Sequence, residues 1–118
     1  ARDIAERFQC RPIQWYERTK MEPDILINAT PIGMHPSVDE TPYDRKYFER
    51  TTIVFDTVHY PEQTLMIKHA REMGCRTITG VEMFVRQAAL QFEHFTKQSA
   101  PLDLMREEFR KAIGAAQQ

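Results

Sequence analysis

The chain has 118 residues, 42% hydrophobic and 28% charged, with 16 Lys+Arg against 17 Asp+Glu and a formal net charge of −1. These values describe one globular domain with a modest core and exclude long disorder. The near-neutral balance removes the electrostatic case for nucleic acid or an anionic membrane, and no apolar run approaches the roughly 18–20 residues of a membrane span.

Residues 1–8 read as helix, with Ile4, Ala5 and Phe8 at helical spacing. No capping residue precedes them, which suggests a piece of a longer polypeptide. Residues 12–17 suit a short edge strand, because Pro12 can begin a strand but not sit inside a central one. Residues 24–28 (Asp-Ile-Leu-Ile-Asn) and 52–56 (Thr-Ile-Val-Phe-Asp) are continuous apolar runs, the pattern of parallel strands covered on both faces. Residues 76–79 (Arg-Thr-Ile-Thr) make a weaker third strand.

Between the strands the pattern is helical. Pro61 suits a helix start, Glu62 its positive end and Gly74 its stop, with Met66, Ile67, Ala70 and Met73 inward. Thr79-Gly80-Val81-Glu82 is a capping box opening a helix whose stripe is Val81, Phe84, Val85, Ala88, Phe92 and Phe95. Pro101 opens a last helix with Leu102, Met105, Phe109 and Ile113 inward. Strand alternating with helix predicts an α/β fold with an open parallel sheet.

In such sheets ligands bind outside the carboxyl ends of the strands. Three small polar clusters fall there: Asn28-Ala29-Thr30-Pro31, Asp56-Thr57-Val58-His59-Tyr60, and Thr79-Gly80 at a helix start. Each also has a local explanation as a turn or a cap. Gln87 shares a helix face with Met83, Leu90 and His94; it reads either as a solvated amide or as a hydrogen-bonder for a polyhydroxylated ligand. His59 is the one histidine beside a carboxylate-bearing strand end, whereas His35, His69 and His94 read as surface residues. Asp56 reads as a structural turn residue. No histidine pair has metal-site spacing. Cys10 and Cys75 are too few for a disulfide scaffold or zinc site and read as thiols in a reducing cytoplasm. The four glycines form no G-x-G-x-x-G loop.

Three ordered motifs then stand out: Asp24-Ile-Leu-Ile-Asn-Ala-Thr-Pro-Ile-Gly-Met34, Val54-Phe-Asp-Thr-Val-His-Tyr-Pro-Glu-Gln-Thr64 and Thr79-Gly-Val-Glu-Met-Phe-Val-Arg-Gln87. Together they resemble shikimate dehydrogenase, a family that reduces 3-dehydroshikimate to shikimate with NADPH. The resemblance covers nearly the whole chain. It implies that residues 1–118 are a truncated C-terminal, NADP-binding domain: an incomplete Rossmann-like sheet whose closing helices pack across the cleft. By this likeness Asn28, Ala29 and Thr30 line the NADP groove, Thr57 and Gly80 lie near the nicotinamide, and Met83 packs beside it. Gln87 reaches the substrate hydroxyls, with His59 on the substrate side. A glycine lets a cofactor ring approach backbone, and the ring needs apolar packing such as Met83 offers.

Two departures from the family pattern carry consequences. His59 stands where the family has Tyr, with Tyr60 next to it, so either side chain could take the substrate contact; a histidine there makes affinity sensitive to pH near neutrality. The family's Lys–Asp catalytic pair, Gly-rich pyrophosphate loop and Arg-bearing 2′-phosphate site match nothing here, so this chain by itself is expected to be inactive. The implied loss of the first sheet strands bares the 24–28 edge, with Ile25 and Ile27. That predicts self-association through the edge or a rearranged position for residues 1–20. An NAD-dependent quinate/shikimate dehydrogenase, a non-catalytic ligand-sensing module and a plain protein-interaction domain remain as alternatives.

Overall fold

The computed structural model describes residues 2–115. A short helix α1 (Arg2–Phe8) is followed by a 3-10 turn at Trp15–Lys20 and then by strand β1 (Ile25–Asn28). A second 3-10 turn, Arg45–Tyr47, precedes β2 (Ile53–Asp56), and α2 (Leu65–Glu72), β3 (Arg76–Ile78), α3 (Gly80–Thr96) and α4 (Leu102–Ala115) complete the order. The strands form one parallel sheet in the order β1-β2-β3, with Ile25 opposite Ile53, Asn28 opposite Asp56 and Phe55 opposite Ile78. The α/β class and three of the four predicted strands, at 24–28, 52–56 and 76–79, are as the sequence reads.

The core lies on one face of this sheet. Val54 from β2 packs with Met66, Ile67 and Ala70 of α2, with Cys75, and with Tyr43 and Phe48 from the β1–β2 connection. Burying a side chain such as Met66 or Ile67 contributes about 2 kcal/mol. Burial also pushes the Tyr43 phenol and the Cys75 thiol up in pKa, so neither ionises readily near neutrality. The opposite face is open: Ile25 is 57% exposed and Ile27 55%. The expectation of strands covered on both faces is therefore met on one face among the described residues. Among the described residues, no helix is long and apolar enough to cross a membrane.

Three local expectations are corrected. Residues 12–17 form no strand; the segment is extended to Gln14 and then turns. The Gln14 N–H donates to Glu17 Oε2 at 2.9 Å, and Arg18 stacks on Trp15 at 4.1 Å while donating to the Pro42 carbonyl at 2.6 Å. With no strand beside it among the described residues, the segment is closed by these side-chain bonds instead. Second, α2 starts at Leu65 rather than Pro61, because Thr64 is its N-cap. Third, Phe84 and Phe95 of α3 are 42% and 81% exposed, and the buried positions are Gly80, Val81, Val85 and Ala89. The apolar stripe of α3 is wider than the surface that α4 covers. Ile4 and Phe8 of α1 are likewise exposed around a buried Ala5. Ala1 lies outside the described residues.

Candidate functional site

The carboxyl ends of β1 and β2 are joined through one buried carboxylate. Asp56 has no exposed surface; its Oδ1 accepts from Asn28 Nδ2 and from the Val58 N–H, both at 3.0 Å. Its Oδ2 accepts from the Thr64 hydroxyl at 2.6 Å, and Thr64 Oγ1 in turn accepts from the Ile67 N–H at 3.3 Å. Asp56 thus fixes the register of two strands, shapes the following loop and orients the cap of α2. A charged acceptor of this kind makes bonds roughly twice as strong as neutral ones.

Asn28 completes the network from the β1 side. Its Nδ2 also donates to the Ile32 carbonyl at 3.2 Å, and its Oδ1 accepts from the Thr30 N–H at 3.0 Å and the Thr30 hydroxyl at 2.7 Å. Two donors and one twice-used acceptor leave the amide spent inside the protein. Thr57 turns inward too, sending both its N–H and its hydroxyl to the Asn28 carbonyl, at 3.0 Å and 2.9 Å. The effect is to hold residues 29–31 as a rigid rim, with Ala29 exposed and Thr30 half-buried.

Gly80 brings the third strand end to the same place. A Cβ built there would lie 2.3 Å from the Val58 carbonyl oxygen and 2.7 Å from that of Thr57. The first residue of α3 therefore sits against the β2–α2 loop with no room for a side chain. Thr79 caps the helix by accepting from the Glu82 N–H at 3.4 Å. The Glu82 carboxylate does not close the capping box; it takes a two-pronged bond from Arg106, Nε at 2.6 Å and Nη2 at 3.2 Å. That pairing, helped by the nearby charges of Arg86 and Arg110 and opposed by desolvation, holds the Glu82 carboxyl below the usual carboxylate range.

From this anchored start, Met83 and Gln87 follow one turn apart on a single face of α3. Met83 is half-buried and Gln87 is exposed. His59 is exposed on the loop and packs its ring 5.8 Å from Phe84 and 5.9 Å from Phe109. The neighbouring Tyr60 turns away and packs 5.2 Å from the His35 ring. Of the two side chains that could take the substrate contact, His59 is the one on the α3 side of the loop.

Sequence reading did not find Thr64 as the partner of Asp56, nor the contacts that α4 makes with the loop. Arg110 forks onto Glu62, with Nε at 2.9 Å and Nη2 at 2.8 Å, and Phe109 stacks on Phe84 at 4.2 Å. The one signal for them was the inward stripe of α4, which places Phe109 but does not say what it meets.

Residues 80–108 match the family of the Shikimate 5'-dehydrogenase C-terminal domain. The chain is 35% identical over 102 residues to a shikimate dehydrogenase (NADP(+)) of Archaeoglobus fulgidus, covering 86% of this chain and 38% of that protein. It is 37% identical over 107 residues to a chloroplastic bifunctional 3-dehydroquinate dehydratase/shikimate dehydrogenase of Arabidopsis thaliana, covering 88% of this chain and 18% of that protein. Among solved structures, a shikimate 5-dehydrogenase of Thermus thermophilus in complex with NADP(H) and shikimate superposes with a TM-score of 0.81 at 27% identity, over 95% of this chain and 42% of that one. The parallel sheet, its convergent strand ends and these likenesses define a Rossmann-like α/β unit. Over most of its length the chain is similar to the C-terminal region of shikimate dehydrogenases. It spans less than half the length of the relatives it matches.

Proposed function

We propose that this chain is the C-terminal part of an NADP-dependent shikimate dehydrogenase, carrying a share of the nicotinamide and substrate contacts, and that by itself it does not turn over. The observation that carries the reading is the closeness of Gly80 to the Thr57 and Val58 carbonyls. It fixes the start of α3 against the strand ends, and with it the face that bears Met83 and Gln87. The residues suit a dinucleotide: the rim at Asn28, Ala29 and Thr30 presents a small exposed side chain whose neighbours are already hydrogen-bonded, and Met83 supplies an apolar surface. NADP, when bound, supplies the hydride chemistry. The chain's own residues bind and orient: Thr57 and Gly80 form a wall of backbone, Gln87 can both donate to and accept from substrate hydroxyls, and His59 stands exposed on the β2–α2 loop beside Phe84 of α3.

The test is a calorimetric titration of the 118-residue chain with shikimate and separately with NADP⁺, beside an assay of 3-dehydroshikimate reduction. The expected result is weak shikimate binding that Gln87→Ala abolishes, with no turnover. Turnover by this chain alone would overturn the split-site reading, and unchanged binding in Gln87→Ala would remove Gln87 from the site. A preference for NAD⁺ would favour the quinate-type alternative.

The same reading extends to self-association. Among the described residues β1 pairs with β2 on one edge only, and Ile25 and Ile27 lie exposed on the sheet's open face. An unpaired edge bordered by apolar surface recruits another strand. Light scattering at rising concentration is expected to show a dimer; a strict monomer would sink this part.

A further inference from the structure

We propose that α4 is a clasp on the β2–α2 loop, in which Phe109 and Arg110 are positioning residues that hold His59 toward the ligand. This rests on the proposed shikimate site and names what sets its geometry.

The loop from Thr57 to Gln63 has no regular secondary structure. Its two ends are fixed by the Asp56–Thr64 bond, but the middle needs separate support. Tyr60 leans on His35 from one side. On the other side, the aromatic and ionic partners of His59 and Glu62 in the described structure come from α3 and α4. The His59 ring sits 5.8 Å from Phe84 and 5.9 Å from Phe109, and those two phenyl rings stack at 4.2 Å with an interplanar angle of 12°. Adjacent to Phe109 in sequence, Arg110 takes both oxygens of Glu62, three residues after His59 in the loop.

α4 is itself held in place. Arg106, one turn before Arg110, bonds both oxygens of Glu82 on α3 and also reaches Asp103 at 2.6 Å. Arg106 and Arg110 are four apart and share a face of the helix. One end of that face is tied to α3 and the next turn to the loop, so the helix bridges the two elements that carry Gln87 and His59. A planar guanidinium gripping a carboxylate at two points fixes orientation as well as distance. The stacked Phe84–Phe109 pair backs the tilted His59 ring, and His59 remains exposed.

The experiment compares the full chain with Phe109→Ala, Phe109→Tyr and Arg110→Gln, following amide exchange of residues 57–63 and the affinity for shikimate. Phe109→Ala should speed exchange in that loop while leaving the β1–β2 ladder protected, shift the His59 ring proton resonances, and weaken shikimate binding about fivefold. Phe109→Tyr keeps the ring and should restore all three. Arg110→Gln should give the same loop signature more weakly, which tests the clasp without touching the aromatic stack. Unchanged loop exchange in both Phe109→Ala and Arg110→Gln would overturn the clasp. A loosened loop with undiminished shikimate affinity would overturn its positioning role. If the unsubstituted chain binds no shikimate, the proposed ligand site fails, and the exchange and ring-proton measurements still decide whether the clasp exists.

Discussion

The hydroxyl of Thr64 donates to the buried carboxylate of Asp56 across 2.6 Å, joining the end of β2 to the N-cap of α2 eight residues later. The same carboxylate carries the Asn28 amide and the Val58 N–H, so one side chain organises three segments. Asp56→Ala strands three donors in a dry environment and should cost about 4 kcal/mol. Thr64→Val removes one of those bonds together with the cap of α2 and should cost about 2 kcal/mol. Urea unfolding of both variants checks the order. Equal, small effects would show that the network is not what fixes the loop.

Gly80→Ala is expected to destabilise the chain despite the better helix propensity of alanine, worth about 1 kcal/mol. The obstructing atoms are the backbone oxygens of Val58 and Thr57, which cannot rotate away as a side-chain tip would. Separating α3 from the loop should leave a net loss of about 2 kcal/mol. Gly114 provides the contrast, since a Cβ there meets nothing within 4 Å on α4. Gly114→Ala should be neutral or stabilising by about 0.5 kcal/mol. Thermal or urea unfolding of the pair separates close approach from a general effect of glycine replacement.

What the sequence made legible was whatever depends on local pattern. The runs ending at Asn28 and Asp56 are apolar without alternation, and Thr79 stands three residues before a glutamate, so both strands and the start of α3 follow from short-range rules. The segment at 12–17 failed because strand formation needs a neighbour, and side-chain bonds among Gln14, Glu17 and Arg18 closed a turn instead. Pro61 misplaced the start of α2 because the true cap, Thr64, is selected by a carboxylate eight residues earlier, a tertiary contact that periodicity does not encode. The same holds for the site. Asn28, Thr57 and Gly80 were recognisable as residues at strand ends, but the saturation of the Asn28 amide and the closeness of Gly80 to the Val58 carbonyl exist only once the strands are side by side. Phe84 and Phe95 show the converse: a helical apolar stripe states what can be buried, not how much surface arrives to bury it.

His59→Tyr tests the most visible departure from the family pattern. A tyrosine keeps an aromatic ring against Phe84 and Phe109, so the loop should hold its place and the melting temperature should change little. Shikimate affinity is expected to be kept or improved. Isothermal titration reads the affinity, and thermal unfolding reads the stability. A large loss of affinity in a folded variant would mean that the histidine is itself a ligand contact no phenol can replace.

The attachment of α4 to α3 should fail in acid, and Glu82 sets where. Its carboxyl is held below the usual range, first by the hydrogen bond from Arg106 and then by the charges of Arg106, Arg86 and Arg110, against an opposing desolvation. A depressed carboxyl contributes its stabilisation in full above the pKa of the unfolded chain, about 4.3 for a glutamate, and loses it as pH falls through the lower folded value. Protonation at acid pH removes the charge from the Arg106 pair, so α4 loosens there while neutral-pH stability is untouched. Amide exchange in residues 102–115, corrected for intrinsic rates, should show falling protection of α4 below about pH 4 while β2 stays protected. Glu82→Gln should lower that protection already at about pH 6 and flatten its acid dependence. The pair is also partly open to solvent, with side-chain exposures of 20% for Arg106 and 27% for Glu82, so added salt should weaken it in the same direction. If the variant keeps the full acid dependence, another carboxylate governs the helix, and Glu62, the partner of Arg110, is the next to replace.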